Sequence, residues 1–552
     1  MHRFAFTATL ALVALVGFPS NAADLVIRGA RVLTMDPERP EAQAIAVTGE
    51  RIVAVGSDAE IEVEIDADTK VFDLQGALVL PGFQDAHIHL IWSGTENLDI
   101  ALWDAASKED LSELILAGAD TGEPWVRGVG WDLSAFPEQT LDAAFLDSLI
   151  PDRPAYFAAA DGHSAWVNSA ALELAGITAD TPDPDGGRIE RGADGAPQGL
   201  LREAAVALVG DLMPPYSTEQ VAQGLADALD EARANGITSI IDPKAEDWML
   251  EGYQAALDAG LLTVRVRAAV EVTSAEEIDK AVAARARYNS DRLAVNAIKL
   301  FADGVIESQT AAMLEPYEGM DFAGDLLVPA DEMARIVTRA EQEGLQVHIH
   351  AIGDAAVRAG LDAIAAARTV NGPMDLRHQL AHLEVIDPAD IPRFAELGAI
   401  ANFQPLWAYP DSYITELTEP VIGPERSEWL YPIGAVPAAG GRVVGGSDWS
   451  VSSMDPLDAI QIGVTRQDPD DTQGRVLTPQ HRVALEDMLK AYTVNAAYAG
   501  FREGETGMLR VGMLADIAVL DRDITMGLPT QIDDAIVVLT ILGGEVVFQG
   551  LE

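Results

Sequence analysis

Cysteine is absent from all 552 residues. That excludes disulfides, thiolate metal ligands and a lipid anchor carried on cysteine, so any metal must be held by histidine, carboxylate or a modified lysine. Positive charge is also scarce: Lys+Arg 36 stand against Asp+Glu 88, a formal net charge of -52. Such a surface repels nucleic acid and anionic membranes and favours solubility, so neither is an expected partner. A homo-oligomer is compatible with the sequence. Solenoid-like repeats, low-complexity tracts and long apolar runs beyond the N-terminus are missing too.

The one apolar run, Phe4 to Phe18, follows His2 and Arg3 and leads into Pro19-Ser20-Asn21-Ala22-Ala23. This is the three-part pattern of a secretory signal peptide, residues 1–23, with small residues placed for cleavage. The run is shorter than the roughly 20 residues a spanning helix needs, so no stable membrane anchor is expected once the leader is removed. The expected location is periplasmic or secreted.

The full sequence is 49% hydrophobic and only 22% charged, which describes a globular chain with a large core. Three strand-like segments, Leu25 to Met35, Ala44 to Gly56 and Lys70 to Leu80, are punctuated by glycine turns such as Thr48-Gly49-Glu50-Arg51. Met513 to Leu520 and Ala535 to Phe548 repeat the pattern around Gly543-Gly544. The two ends, 24–80 and 501–552, are therefore expected to pair into a small β-sandwich, with residues 81–500 inserted between them. Residues 90–215 read as less regular, rich in Asp, Gly, Pro and Trp, and suit a cap over a pocket.

The insertion alternates β-rich runs with amphipathic, Ala-rich segments such as Glu219 to Asn235. The β-rich runs are Phe83 to His89, Thr238 to Asp242, Val264 to Val270, Val295 to Phe301, Leu345 to His350, His378 to Val385, Ala399 to Gln404 and Val443 to Asp448. Eight β/α steps predict an α/β fold: a distorted TIM (β/α)8 barrel whose active site lies at the carboxyl ends of the strands, with the cap inserted after the first strand.

Of nine histidines, six fall on three of these strands: His87 and His89, His348 and His350, His378 and His382. Spacings of two and four keep each pair on one side of a strand, so each can face the barrel interior. A catalytic metal needs about three or more imidazole or carboxylate donors and a position left for water. Lys299 is an ionisable group inside the apolar run Ala297-Ile298-Lys299-Leu300-Phe301. It requires either a partner, such as a carboxylate, or a modification, because a buried ammonium is costly. Asp448 ends the last run, where a carboxylate can hold a metal or cap a helix.

Seven ordered motifs then carry a resemblance: PGFQDAHIH from Pro81, GVGWD from Gly128, DGHSAWVN from Asp161, IKLFADG from Ile298, HIHAIGD from His348, RHQLAHLEVI from Arg377 and GGSDW from Gly445. The chain resembles the amidohydrolase superfamily, in particular its amidohydrolase-3 branch, often labelled YtcJ-like. The resemblance implies two divalent metal ions, commonly zinc. It places His87, His89 and Asp448 on one ion and His350 and His382 on the other, with carboxylated Lys299 as a bridge. His348 and His378 fall outside those positions and are expected to support or pack. The implied chemistry is hydrolysis of amide or other non-peptide C-N bonds by a metal-bridging hydroxide, with Asp448 as proton shuttle. Ester, lactone or carbamate hydrolysis at the same site is the enzymatic alternative, and a non-catalytic ligand-binding or regulatory protein on a hydrolase scaffold is the other.

Two places depart from the branch's usual pattern: Ala381 stands before His382 where glutamate is frequent, and Glu307-Ser308-Gln309-Thr310 replaces a segment of small residues and arginine. The second bears on substrate contacts. Candidate substrate-binding residues are Trp92, Trp131, Asp132, His163, Gln404 and Trp407. Asp85, on the face of His87, is expected to orient the site without being a ligand.

Overall fold

The structure, a computed structural model, describes residues 22–120, 122–136, 141–184 and 186–550. All but the last two residues of the expected signal peptide therefore lie outside the described residues. Eight parallel strands form one sheet in chain order. They are β1 (Phe83–Asp85), β2 (Ile237–Asp242), β3 (Arg265–Glu271), β4 (Leu293–Phe301), β5 (Gln346–Ala351), β6 (Gln379–His382), β7 (Ile400–Phe403) and β8 (Arg442–Gly445). Backbone hydrogen bonds join the two edges: Ala86 N donates to Gly445 O at 3.0 Å and Asp448 N to His87 O at 2.7 Å. The result is a barrel.

The strands are apolar on both faces, as β4 shows with Leu-Ala-Val-Asn-Ala-Ile-Lys-Leu-Phe, because a parallel sheet wrapped by helices has no wet side. The helix Thr218–Ala234 starts on a capping box in which Ser217 and Gln220 satisfy each other's backbone donors. The helix Ala330–Gln342 turns Met333, Ile336, Val337 and Ala340 onto the barrel and leaves its charged face in water.

Both chain ends contribute to one six-stranded sheet, in the order Glu545–Gln549, Val537–Leu542, Ile517–Leu520, Leu78–Pro81, Arg31–Leu33, Glu41–Ala42. A four-stranded sheet from Leu25–Arg28, Ala44–Thr48, Arg51–Gly56 and Lys70–Asp73 packs against it through Ile27, Ile45, Val79, Ile517 and Leu539. Two of the segments read as single strands are each divided between these sheets. Gly29 (φ 72°) and Gly76 (φ 86°) lie between the two pieces, in a backbone conformation that glycine adopts without cost.

Residues 90–215 are more regular than their composition suggests. Six strands, Ile100–Ala101, Val126–Trp131, Ala155–Ala159, Ser164–Val167, Gly187–Arg191 and Pro197–Glu203, build a mixed sheet with its own apolar core around Trp131, Phe157 and Trp166. Tyr413 and Leu417, from the long excursion after β7, pack against that core and join it to the barrel mouth.

The strand ends differ from expectation where the chemistry lies. The strand β1 stops at Asp85, so His87 and His89 follow it, and the helix Leu90–Glu96 begins at once. Asp448 lies three residues past β8, and His378 precedes β6. His382, Leu383 and Asp448 take left-handed φ values of 77°, 55° and 55°, which no periodicity argument anticipates.

Candidate metal centre and substrate cavity

His87, His89 and Asp448 converge at the barrel mouth, each offering one ligand atom within 4.8 Å of the others. Asp448 Oδ1 lies 3.4 Å from His87 Nε2 and 3.1 Å from His89 Nε2, and its Oδ2 lies 3.6 Å from His382 Nδ1. The His350 and His382 rings are 4.5 Å apart, centroid to centroid. Despite this crowding, His87 Nε2, His382 Nδ1 and Asp448 Oδ1 are shielded from solvent with no hydrogen-bond partner. Buried polar atoms without partners are costly and rare, and bound cations are what would satisfy them. The donor set fits a divalent metal.

The other nitrogen is fixed in His87 and in His350. His87 Nδ1 lies 2.9 Å from His348 Nε2; with the shared hydrogen on His87 Nδ1, its Nε2 presents a lone pair to the mouth. Asp85 accepts from His87 N at 2.9 Å and from Ser447 N at 3.1 Å, so one carboxyl group ties the exits of β1 and β8. His350 Nε2 donates to Gly304 O at 3.0 Å, leaving Nδ1 as its donor atom. That turn is itself held by buried Asp303, which accepts from the backbone of Ala312, Ile352 and Gly353. Gly446 is required at the seam, since a Cβ there would come within 2.6 Å of His87 N.

Electrostatics favour the ligand forms. Burial drives His87 down to about 3 and His350 and His382 well below the usual imidazole range, so all three are neutral. Burial alone would raise Asp448, but His87, His89 and His382 outweigh it and hold the carboxylate well below its ordinary value. Lys299 is 1% exposed, with Nζ 4.6 Å from the centre of the Phe301 ring. Burial pulls it down to about 8 although Asp448 and Glu271 favour its charge. No ion pair reaches it among the described residues, so the expected carboxylate partner is missing.

His378 does not face the interior. It accepts from Val347 N at Nδ1 and donates to Glu341 at 3.2 Å through Nε2, away from the mouth. His348 faces inward as its spacing from His350 requires, and supports His87.

A cavity of about 400 Å³ rises from His350, His382 and Asp448 into the cap. Of the candidate substrate residues, Asp132, His163 and Trp407 line it, and Trp407 stacks on His382 with the rings 4° from parallel. Trp131, Trp92 and Gln404 do not. The Trp131 indole is fully buried in the cap core and donates to Phe157 O at 2.9 Å. Trp92 lies edge-on to His89 beneath Lys244, and Gln404 is buried against Asn402.

The sequence reading missed the cavity's other polar walls. His163 Nδ1 pairs with Glu203 at 2.8 Å, and Glu203 also accepts from Thr310 at 2.7 Å. Burial opposes the charge on His163, but Glu203 and Asp161 raise it to about 9. Asp161, Glu307, Glu384, Asp411, Tyr413 and Tyr431 also line the cavity. The unusual Glu307 to Thr310 segment was the one signal for them.

With barrel, donor cluster and cavity in place, the chain belongs to the amidohydrolase family, whose profile matches residues 70–548. It is 30% identical over 542 residues to the putative amidohydrolase YtcJ of Bacillus subtilis, covering 94% of this chain and 98% of that protein. The N-substituted formamide deformylase of Arthrobacter pascens is 29% identical over 521 residues, covering 91% of this chain and 94% of that protein. Among solved structures, a metal-dependent hydrolase from Pyrococcus horikoshii superposes with a TM-score of 0.74 at 23% identity, over 92% of this chain and 99% of that one, which bears on fold alone.

Proposed function

We propose that this protein is an exported metal-dependent hydrolase of amide or other non-peptide C-N bonds in a small-molecule substrate. The observation that carries the reading is the convergence of unpartnered, buried His87 Nε2, His382 Nδ1 and Asp448 Oδ1 at the floor of a cavity. His87, His89 and Asp448 would hold one divalent ion and His350 and His382 a second, with zinc suited to the imidazole and carboxylate set. Lys299 would join them as a carbamate: a neutral amine adds to carbon dioxide with loss of one proton, and burial favours the neutral amine. Similarity to a formamide deformylase supports the C-N bond class. The apolar leader before Ala22 supports export.

Bound divalent ions supply an activated water and offset charge developing on the carbonyl oxygen. The chain's own groups do the rest. Asp448, ionised in the resting site, takes a proton and returns it to the departing amine. His163, charged and held by Glu203, offers a hydrogen-bond donor from the cap side, and Trp407 forms an apolar wall.

The test is metal content followed by a matched amide, ester and lactam panel. We expect about two divalent ions per chain, loss of activity on chelation, and losses of ~10³-fold or more in His87→Ala and Asp448→Asn. Full activity in metal-free protein, or in either variant, would sink the reading. The carbamate is tested separately: an unmodified Lys299 in a fully metallated, active preparation, seen by mass or structure, removes it.

A further inference from the structure

Five carboxyl groups, Asp132, Asp161, Glu307, Glu384 and Asp411, line the cavity above the metal centre, and among the described residues no lysine or arginine does. The basic side chains on its wall, among the described residues, are His163, already paired with Glu203, and the neutral pair His350 and His382. Glu307 and Glu384 are the closest-linked acids. The Thr418 hydroxyl lies 3.0 Å from Glu307 Oε1 and 3.3 Å from Glu384 Oε1. That hydroxyl has one hydrogen, so it can serve only one carboxylate at a time. Glu384 is 2% exposed, and no other side-chain donor reaches it among the described residues. The Tyr413 hydroxyl, on the same wall, is also shielded and unpartnered. Tyr409, Tyr413 and Tyr431 also line the cavity, and Trp407 lies against His382 at its floor.

Buried carboxylates lacking donors, set among aromatic rings, are the surroundings that select an organic cation: the carboxylates pair with it and the ring faces attract it. Glu307 and Glu384 share a single hydroxyl donor, and an ammonium group would supply the further donors that the pair lacks. We propose that the substrate carries an alkylammonium group distal to the scissile bond, received between Glu307 and Glu384 against the Tyr413 face. This rests on the hydrolase reading for its orientation, the reacting carbonyl at the metal centre and the cation toward the cap. The Glu307 to Thr310 segment, the point where the sequence departs from its branch, thereby becomes a specificity element.

The test uses full-length, metal-loaded protein and three acetamides sharing one scissile bond: N-acetyl-1,4-diaminobutane, N-pentylacetamide and 4-acetamidobutanoate. We expect kcat/KM to favour the cationic amide about tenfold or more over the neutral one, with the anionic amide poorest. Glu307→Gln and Glu384→Gln should each erode that preference. Binding of butylammonium, followed by calorimetry at a fixed ionic strength of 0.15 M or so, is read independently of turnover. If no acetamide is hydrolysed but butylammonium binds and Glu307→Gln abolishes binding, the hydrolase reading fails and the cation site stands. Equal rates on neutral and cationic amides, no butylammonium binding, or binding that persists unchanged in Glu307→Gln as a non-specific effect of the acidic surface, each overturn the proposal. Should Glu384→Gln not fold, Glu307→Gln alone decides.

Discussion

His87 has two nitrogens and the structure gives each a task. Nδ1 is bound to His348 while Nε2 points at Asp448. Removing His348 therefore frees the ring to rotate, although His348 itself touches no proposed ion. His348→Leu should weaken metal affinity ~10–100-fold, as loss of a ligand's supporting hydrogen bond does elsewhere, measured by competition with a chromophoric chelator. His378, with the same residue type and a similar position in its motif, should behave oppositely. His378→Leu removes the partner of Val347 N and of Glu341 Oε1, so it should lower thermal stability and leave metal affinity unchanged. The motifs do not separate these two histidines by local spacing. What separates them is which end of the barrel each reaches.

At the scale of elements, the site depends on how strands end. β1 and β8 meet at a seam where the Gly446 Cα is pressed against the His87 backbone. Gly446→Ala should cost about 1–3 kcal/mol from the forced separation and should also misplace His87 relative to Asp448. Thermal melts and metal stoichiometry would both fall. Gly210→Ala, in open space at a helix end, should change neither. The eight strands were legible within a few residues because parallel barrel strands are near-continuous apolar runs bounded by polar turns. The cap's six-stranded sheet was not. Its strands are short and interrupted, and in stretches such as Val126–Trp131 the turn-forming glycines lie inside the strand, where Gly128 meets Phe157 and Gly130 meets Trp103. Composition then reads as loop although packing makes a sheet.

For the whole molecule, the joint between barrel and terminal sheets is a buried ion pair. Arg265, which opens β3, donates to both Asp516 oxygens at 2.8 and 3.0 Å, with side chains 5% and 2% exposed. Asp516 also accepts from Gly543 N at 2.7 Å, and its carbonyl receives Gly82 N, so one residue ties together the strand before β1, the barrel and the C-terminal hairpin. Asp516→Ala leaves Arg265 buried and unpaired and should cost about 3–5 kcal/mol in chemical denaturation. Glu251→Ala, which breaks the exposed pair with Arg287, should cost less than about 1 kcal/mol. Similar losses in the two variants would refute the joint.

The sequence by itself determined the barrel and the pairing of the chain ends, and it marked the histidines, Lys299 and Asp448 as candidates for a common site. These follow from hydrophobic periodicity and from residue types too costly to bury without a purpose, such as Lys299. Only the tertiary structure decided which histidine nitrogens are free, which aromatic residues face the cavity and which face the cap core, and that Glu307 and Glu384 share one hydroxyl across 77 residues of chain. The reason is physical: periodicity assigns a side chain to a face of its own strand, whereas a cavity is made where several elements end, and there backbone angles such as those of His382 and Asp448 redirect side chains independently of any repeat.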